Sequence, residues 1–226
     1  MSARTTRKPS RDAASKPSAT WRVWLVVAVA GACLSCAAFT LWREDLRYSL
    51  PTPRPPDLKL MPLGAIVPLA DWLGSSAVVS GERPRLLHFF NPACSCSRFN
   101  LTHLRELRDH FRGKVDFLAV VQSVDSNQEL AARLASLDLE MPHVVDRDGR
   151  IAREAGIYST PQALLLDRHA RILYRGNYNL SRYCTDPRTE FVRIAIEREL
   201  SAQPISLPQT LAYGCELPGA ASRRQP

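Results

Sequence analysis

Six cysteines, at positions 33, 36, 94, 96, 184 and 215, are the side chains of this 226-residue chain with the widest chemical reach. Two of them, Cys94 and Cys96, stand in the segment HFFNPACSCSRFN, where an apolar run ends and an amphipathic pattern begins. A thiol at the start of a helix meets unpaired backbone N–H groups and the positive end of the helix dipole, which together favour its thiolate. Thiolate is the form that attacks disulfides and binds soft metals, so this placement points to nucleophilic redox chemistry at Cys94 with Cys96 beside it.

The elements that must hold this pair follow from hydrophobic periodicity. Residues 86–90 (LLHFF) read as a buried strand ending at Asn91-Pro92, and the stretch from Ser97 reads as a helix with Leu101, Leu104, Leu107 and Phe111 on one face, ended by Gly113. Further on, 115–121 is an apolar strand, 127–137 a helix, 142–146 a strand and 150–155 a short helix. Thr160-Pro161 then leads into strands at 163–167 and 171–176, joined by the turn Arg168-His169-Ala170 as an antiparallel hairpin. A last helix is predicted from Asp186 as N-cap and Pro187 at its first position to about Ala202. Alternation of strand and helix with a closing hairpin gives an α/β fold whose sheet has parallel neighbours and an antiparallel edge.

The composition is that of a globular protein, 45% hydrophobic and 23% charged, and excludes disordered, collagen-like and multi-pass membrane classes. The net charge of +8 is concentrated before residue 23, where Arg4, Arg7, Lys8, Arg11, Lys16 and Arg22 oppose Asp12 alone. The remainder carries 24 basic against 21 acidic residues, so no nucleic-acid footprint is expected. Residues 23–42 form an uncharged run with tryptophans near both ends, long enough to cross a bilayer. The positive-inside bias orients the 1–22 tail to the cytoplasm and the main domain to the periplasm of a bacterial inner membrane, with a cleaved signal peptide or lipoprotein leader as the alternatives. Cys33 and Cys36 then lie within the bilayer as small helix-interface residues. Residues 43–63 are a proline-rich linker, read as a stiff spacer, followed by the folded domain at 64–202 and an extension at 203–226.

The strand with two terminal aromatics, the turn, Cys94, the helix, and the later Thr160-Pro161 with GIYSTPQALLLDRHARILYRG resemble the thioredoxin-like superfamily. Within it the similarity is to membrane-anchored, TlpA-like and AhpC-TSA-type thiol–disulfide oxidoreductases of the periplasm, over about residues 80–202. The resemblance implies a thioredoxin-like mixed sheet, Cys94 as nucleophile, and Thr160 with a cis Pro161 as the substrate-docking edge beside it. It also implies protein thiols or disulfides as substrates, a redox partner, and no cofactor. The chain departs from the family's C-x-x-C: Ser97 takes the second cysteine's position and Cys96 comes one residue early, a C-x-C-S variant.

Three mechanisms stand open: resolution by Cys96, resolution by Cys184 or Cys215, and a monothiol cycle completed by an external thiol. Cys184 and Cys215 flank the last predicted helix and are the expected structural disulfide, while a mobile Cys215 would instead bridge to Cys94 in trapped intermediates. Two further function classes are a soft-metal (copper) chaperone and a non-catalytic thioredoxin-like adaptor. His88 reads as a core or edge histidine, and His103, His110 and His143 lack ligand spacing, so no metal ligand is assigned. Phosphate-binding, zinc-protease and serine-elbow motifs are missing, as is the Thr/Ser-x-x-Cys of peroxide-reducing enzymes, because Asn91 stands three residues before Cys94.

Overall fold

The computed structural model describes residues 19–43, 50–74, 81–180 and 186–217. The chain divides into two units, Met1–Asp45 and Leu46–Pro226. In the first, helix α1 (Ala19–Leu41) contains the 22-residue apolar stretch Thr20–Leu41, long and apolar enough to span a membrane. Cys33 and Cys36 lie exposed on it.

The second unit is built on a five-stranded mixed sheet of order β3-β2-β1-β5-β6. β1 (Arg85–Phe90) is central, paired in parallel with β2 (Asp116–Val121) and antiparallel with β5 (Gln162–Leu166). Outside these lie β3 (His143–Val145), parallel to β2, and β6 (Ile172–Gly176), antiparallel to β5. The sheet therefore has the parallel half and the hairpin edge expected from the sequence.

Because side chains alternate across a strand, the wholly buried β1 feeds two cores. Leu86 and Phe90 pack with Leu101, Leu104 and Leu107 of α3 (Ser95–His110) and with Val192, Ala195 and Ile196 of α6 (Phe191–Leu200). Leu87 and Phe89 face the opposite way, toward Ile151, Ala152 and Ala155 of α5 (Arg150–Ala155) and Trp72 and Leu73 of α2 (Leu69–Leu73). Helix α4 (Asn127–Ser136) starts at a capping box between Ser126 and Glu129 and contributes Leu130 to the first core. Asp146 starts α5: buried at the end of β3, it accepts hydrogen bonds from the backbone N–H groups of Ile151 and Ala152 and from Gln122 Nε2.

The C-terminal region differs from expectation. The last helix is not continuous from Asp186. Asp186 caps a 3₁₀ turn at Pro187–Thr189, accepting from Arg188 N–H, and α6 begins only at Phe191, because Glu190 at ψ 68° departs from helical geometry. The segment beyond residue 202 is not an appendage. Arg175 N–H donates to Pro208 O at 3.0 Å and Thr210 N–H donates to Arg175 O at 3.2 Å, and a two-residue strand β7 (Cys215–Glu216) pairs antiparallel with β4 (Ser159–Thr160). Nor is the whole proline-rich stretch a spacer, since buried Thr52 donates its N–H to Ala212 O at 2.8 Å and its hydroxyl to Gly214 O at 3.1 Å.

Candidate redox site

β1 delivers the chain to a tight turn before α3. Asn91 builds that turn, its Oδ1 accepting from Ala93 N–H at 2.8 Å and its carbonyl from Cys94 N–H at 3.0 Å. Cys94 is then the N-cap of α3, with extended backbone (φ −83°, ψ 128°) and its carbonyl accepting from Arg98 N–H. Its side chain therefore sits where the helix presents donors and partial positive charge. Ser97, fully buried, turns its hydroxyl back to accept from Asn91 N–H at 3.3 Å. In the position where the resembled family carries a second cysteine, this chain places a brace for the turn.

The other wall comes from 66 residues downstream in sequence. Gly156, in a left-handed conformation, ends α5, and the chain reaches β4 and the cis peptide bond Thr160-Pro161. Thr160 O lies 4.0 Å from Cys94 Sγ, so the predicted docking edge does lie against the predicted nucleophile. The strand edge of β4 is taken by β7, in the register Thr160↔Cys215 and Ser159↔Glu216. Leu217 N–H continues the ladder to Tyr158 O, and the Leu217 side chain enters the second core.

This register places Cys215 on Cys94. The two form a disulfide, S–S 2.03 Å and Cα–Cα 6.4 Å, between residues 121 apart in sequence. The expected Cys184–Cys215 bridge is thus replaced: Cys215 is committed to Cys94, because the β4–β7 pairing carries it across the sheet edge to the start of α3. Cys184 lies outside the described residues. The expected Cys94–Cys96 bridge is not formed either. Cys94 is extended while Cys96 is already helical, and Cys96 remains a buried thiol. The sulfurs of Cys94, Cys96 and Cys215 nevertheless lie within 4.8 Å of one another.

Several residues that hold Cys215 carried no signal in the sequence. Gly214 has φ +128°, and a Cβ there would stand 2.3 Å from Thr160 O, so only glycine lets the arm, the segment 203–217 that carries Cys215, approach β4 this closely. Asn177 Oδ1 accepts from Tyr213 N–H, and Ser159 Oγ donates to Tyr213 O. Arg175, buried in β6, spreads its guanidinium over Met61 O, Ala155 O and Gln209 Oε1 at 2.9–3.1 Å, joining the linker, α5 and the arm.

No histidine takes part. His88 is buried in β1, its Nδ1 2.8 Å from Tyr178 Oη, and burial lowers its pKa to about 3, which keeps it neutral. His103 is also buried and lowered by desolvation. Among the described residues, the one group with metal-ligating chemistry is the three cysteines themselves.

A central β1 followed by a helix with a cysteine at its N-cap, opposite a cis-proline loop that opens an antiparallel hairpin, defines a thioredoxin-like domain. More narrowly, the chain belongs to the family described as "Domain of unknown function (DUF6436)", whose model matches residues 73–216, from α2 to the last residue of β7. A comparison with curated proteins finds no match. Among solved structures, the chain is similar to a hypothetical protein from Sinorhizobium meliloti 1021 (17% identity, TM-score 0.56, covering 70% of this chain and 95% of that one). It is also similar to an uncharacterized conserved protein from Geobacillus kaustophilus (22% identity, TM-score 0.54, covering 60% and 77%). A smaller part resembles the thioredoxin domain of a thiol-disulfide oxidoreductase from Bacteroides vulgatus (15% identity, TM-score 0.41, covering 51% and 88%).

Proposed function

We propose that this protein is a membrane-anchored thiol–disulfide oxidoreductase acting on protein cysteines through Cys94, with Cys215 as the cysteine that closes the disulfide within the chain. The observation that carries this reading is the Cys94–Cys215 bond itself. It joins a helix N-cap, where a thiolate is stabilised, to a segment laid along the Thr160-Pro161 edge. A client cysteine attacking or leaving Cys94 would use that same edge, in exchange with the arm. Protein thiols or disulfides are the substrates, and a second redox protein renews Cys94.

Anchoring through residues 23–42 in a bacterial inner membrane, with the basic tail cytoplasmic and the domain periplasmic, belongs to the same reading. It is supported by the charge asymmetry around α1 and by a disulfide, a bond that persists in oxidising compartments.

The test is a titration of the full chain in detergent against glutathione buffers of graded potential, with alkylation and peptide mapping at each step. A Cys94–Cys215 bridge that opens and closes reversibly supports exchange. A bridge intact at every potential makes it a structural staple and leaves the domain an adaptor.

A second reading, soft-metal transfer, is favoured by one observation: after reduction of the bridge by a dithiol, three clustered thiolates would offer an all-sulfur site of the kind that selects Cu(I). Tight Cu(I) binding by the reduced chain, lost in Cys96→Ser, would move this reading ahead.

A further inference from the structure

Exchange between Cys94 and Cys215 leaves one thiol at the site without a task. Cys96 lies in the first turn of α3, 1% exposed, within 4.8 Å of both sulfurs of the disulfide. A thiol so close to a disulfide can exchange with it, and either sulfur can be attacked.

The two directions differ in what they expel. Attack on Cys94 would close a bridge between residues two apart, across the junction where extended backbone becomes helix, and would strain the turn that Asn91 and Ser97 brace. It would expel Cys215, whose sulfur also lies near the α3 N-terminus, 2.03 Å from that of Cys94, but is carried by a strand and not by the helix itself. Attack on Cys215 leaves the turn undisturbed and expels Cys94, whose departing negative charge falls at the α3 N-terminus. The braced turn is kept only in the second direction, in which the leaving thiolate also stays fixed to the helix start, so that direction is favoured.

From this geometry we infer an internal relay: Cys96 attacks Cys215, converting the Cys94–Cys215 bridge into Cys96–Cys215 and setting Cys94 free as the nucleophile. The step balances within the chain. The Cys96 thiol gives up its proton and its sulfur bonds to Cys215. The Cys94–Cys215 bond breaks with its electron pair on Cys94, which stays anionic or takes up the released proton. One disulfide and one thiol are present before and after, so no outside oxidant or reductant is consumed. The relay deepens the proposed function by naming a further activity of the same site. An oxidised chain could open a client's protein disulfide through Cys94 and release it rearranged, a redox-neutral reshuffling.

The experiment uses the oxidised full chain in detergent, without reductant, treated with excess N-ethylmaleimide at pH 8 and mapped by peptide mass spectrometry. The relay predicts the label on Cys94 together with a Cys96–Cys215 peptide, at least tenfold over label on Cys96, and no label on Cys94 in Cys96→Ser. Label on Cys96 with Cys94–Cys215 intact, label on Cys215 with a Cys94–Cys96 bridge, or no label at the three positions would each overturn it. The glutathione titration separates this from the underlying reading. A reversible Cys94–Cys215 bridge alongside label confined to Cys96 defeats the relay alone, whereas a bridge that no potential opens defeats both.

Discussion

The two sulfurs of the disulfide come from regions built in opposite ways. Cys94 is held by its own neighbourhood: β1, the Asn91 turn and the first turn of α3 are contiguous in sequence, and the hydrogen bonds of Asn91 with Ala93, Cys94 and Ser97 join residues no more than six apart. Cys215 has no such surroundings. Its position is set by Thr52, Ser159, Arg175 and Asn177, contributed by three separate stretches of chain, and by a glycine that lets two backbones touch. A local site of this kind keeps its shape when its partner leaves, whereas the arm is ordered by distant contacts that must all be met together. Cys94 is thus the fixed half of the pair, and the arm is the half held from a distance.

Breaking the fixed half has the largest effect. Cys94→Ser should abolish exchange with any disulfide substrate, with Cys215 of the non-reduced chain found as a free thiol or bridged to Cys96. Residual exchange above a few per cent would place the nucleophile elsewhere. Breaking the arm comes next. Gly214→Ala adds a Cβ against Thr160 O at a backbone angle that L side chains rarely adopt, and should cost about 2–3 kcal/mol in denaturant unfolding while lowering the fraction of Cys94–Cys215 bridge. An unchanged transition would mean that β4 and β7 do not meet as described.

The third prediction concerns the floor beneath the fixed half. His88 is neutral in the folded chain, with a pKa of about 3, and ordinary at about 6.5 once unfolded. Its contribution is therefore complete above pH 6.5 and is lost as pH falls toward 3, at roughly 1.4 kcal/mol per pH unit within that window. Between pH 6.5 and 5, stability should fall about 2 kcal/mol more in the wild type than in His88→Phe, and equal slopes in the two proteins would refute it. The smallest effect is expected at Ser97→Ala, which removes one acceptor from the Asn91 turn. A loss of about 1 kcal/mol with exchange retained fits a brace, and loss of exchange would make Ser97 part of the chemistry.

The same contrast explains what could be read from the sequence. The sheet, the hairpin, α3 and Cys94 at its head were legible because strand and helix periodicity and turn chemistry are local signals. Thr160-Pro161 was reached through family resemblance, and it lies where that resemblance put it. The partner of Cys94 was misjudged because proximity in sequence favoured Cys96, and the flanking of a predicted helix favoured Cys184 for Cys215. A strand two residues long, Cys215–Glu216, has no periodicity to detect, and the need for glycine at 214 arises only from a backbone brought across the sheet edge. Ser97 could be read as a missing cysteine but not as a brace, since its role depends on which way its hydroxyl turns.

The bridge also closes a loop of 121 residues, a span that takes in every strand of the five-stranded sheet except β1 and every helix from α3 to α6. In the chain-entropy view, such a closure narrows the unfolded ensemble enough to be worth about 5 kcal/mol. That is comparable to the net stability of many domains of this size. On the proposed function, each turnover that opened the bond would also withdraw a large part of the protection against unfolding. The population of reduced molecules would be the one that heat and proteases find first, so one bond would set both redox poise and lifetime.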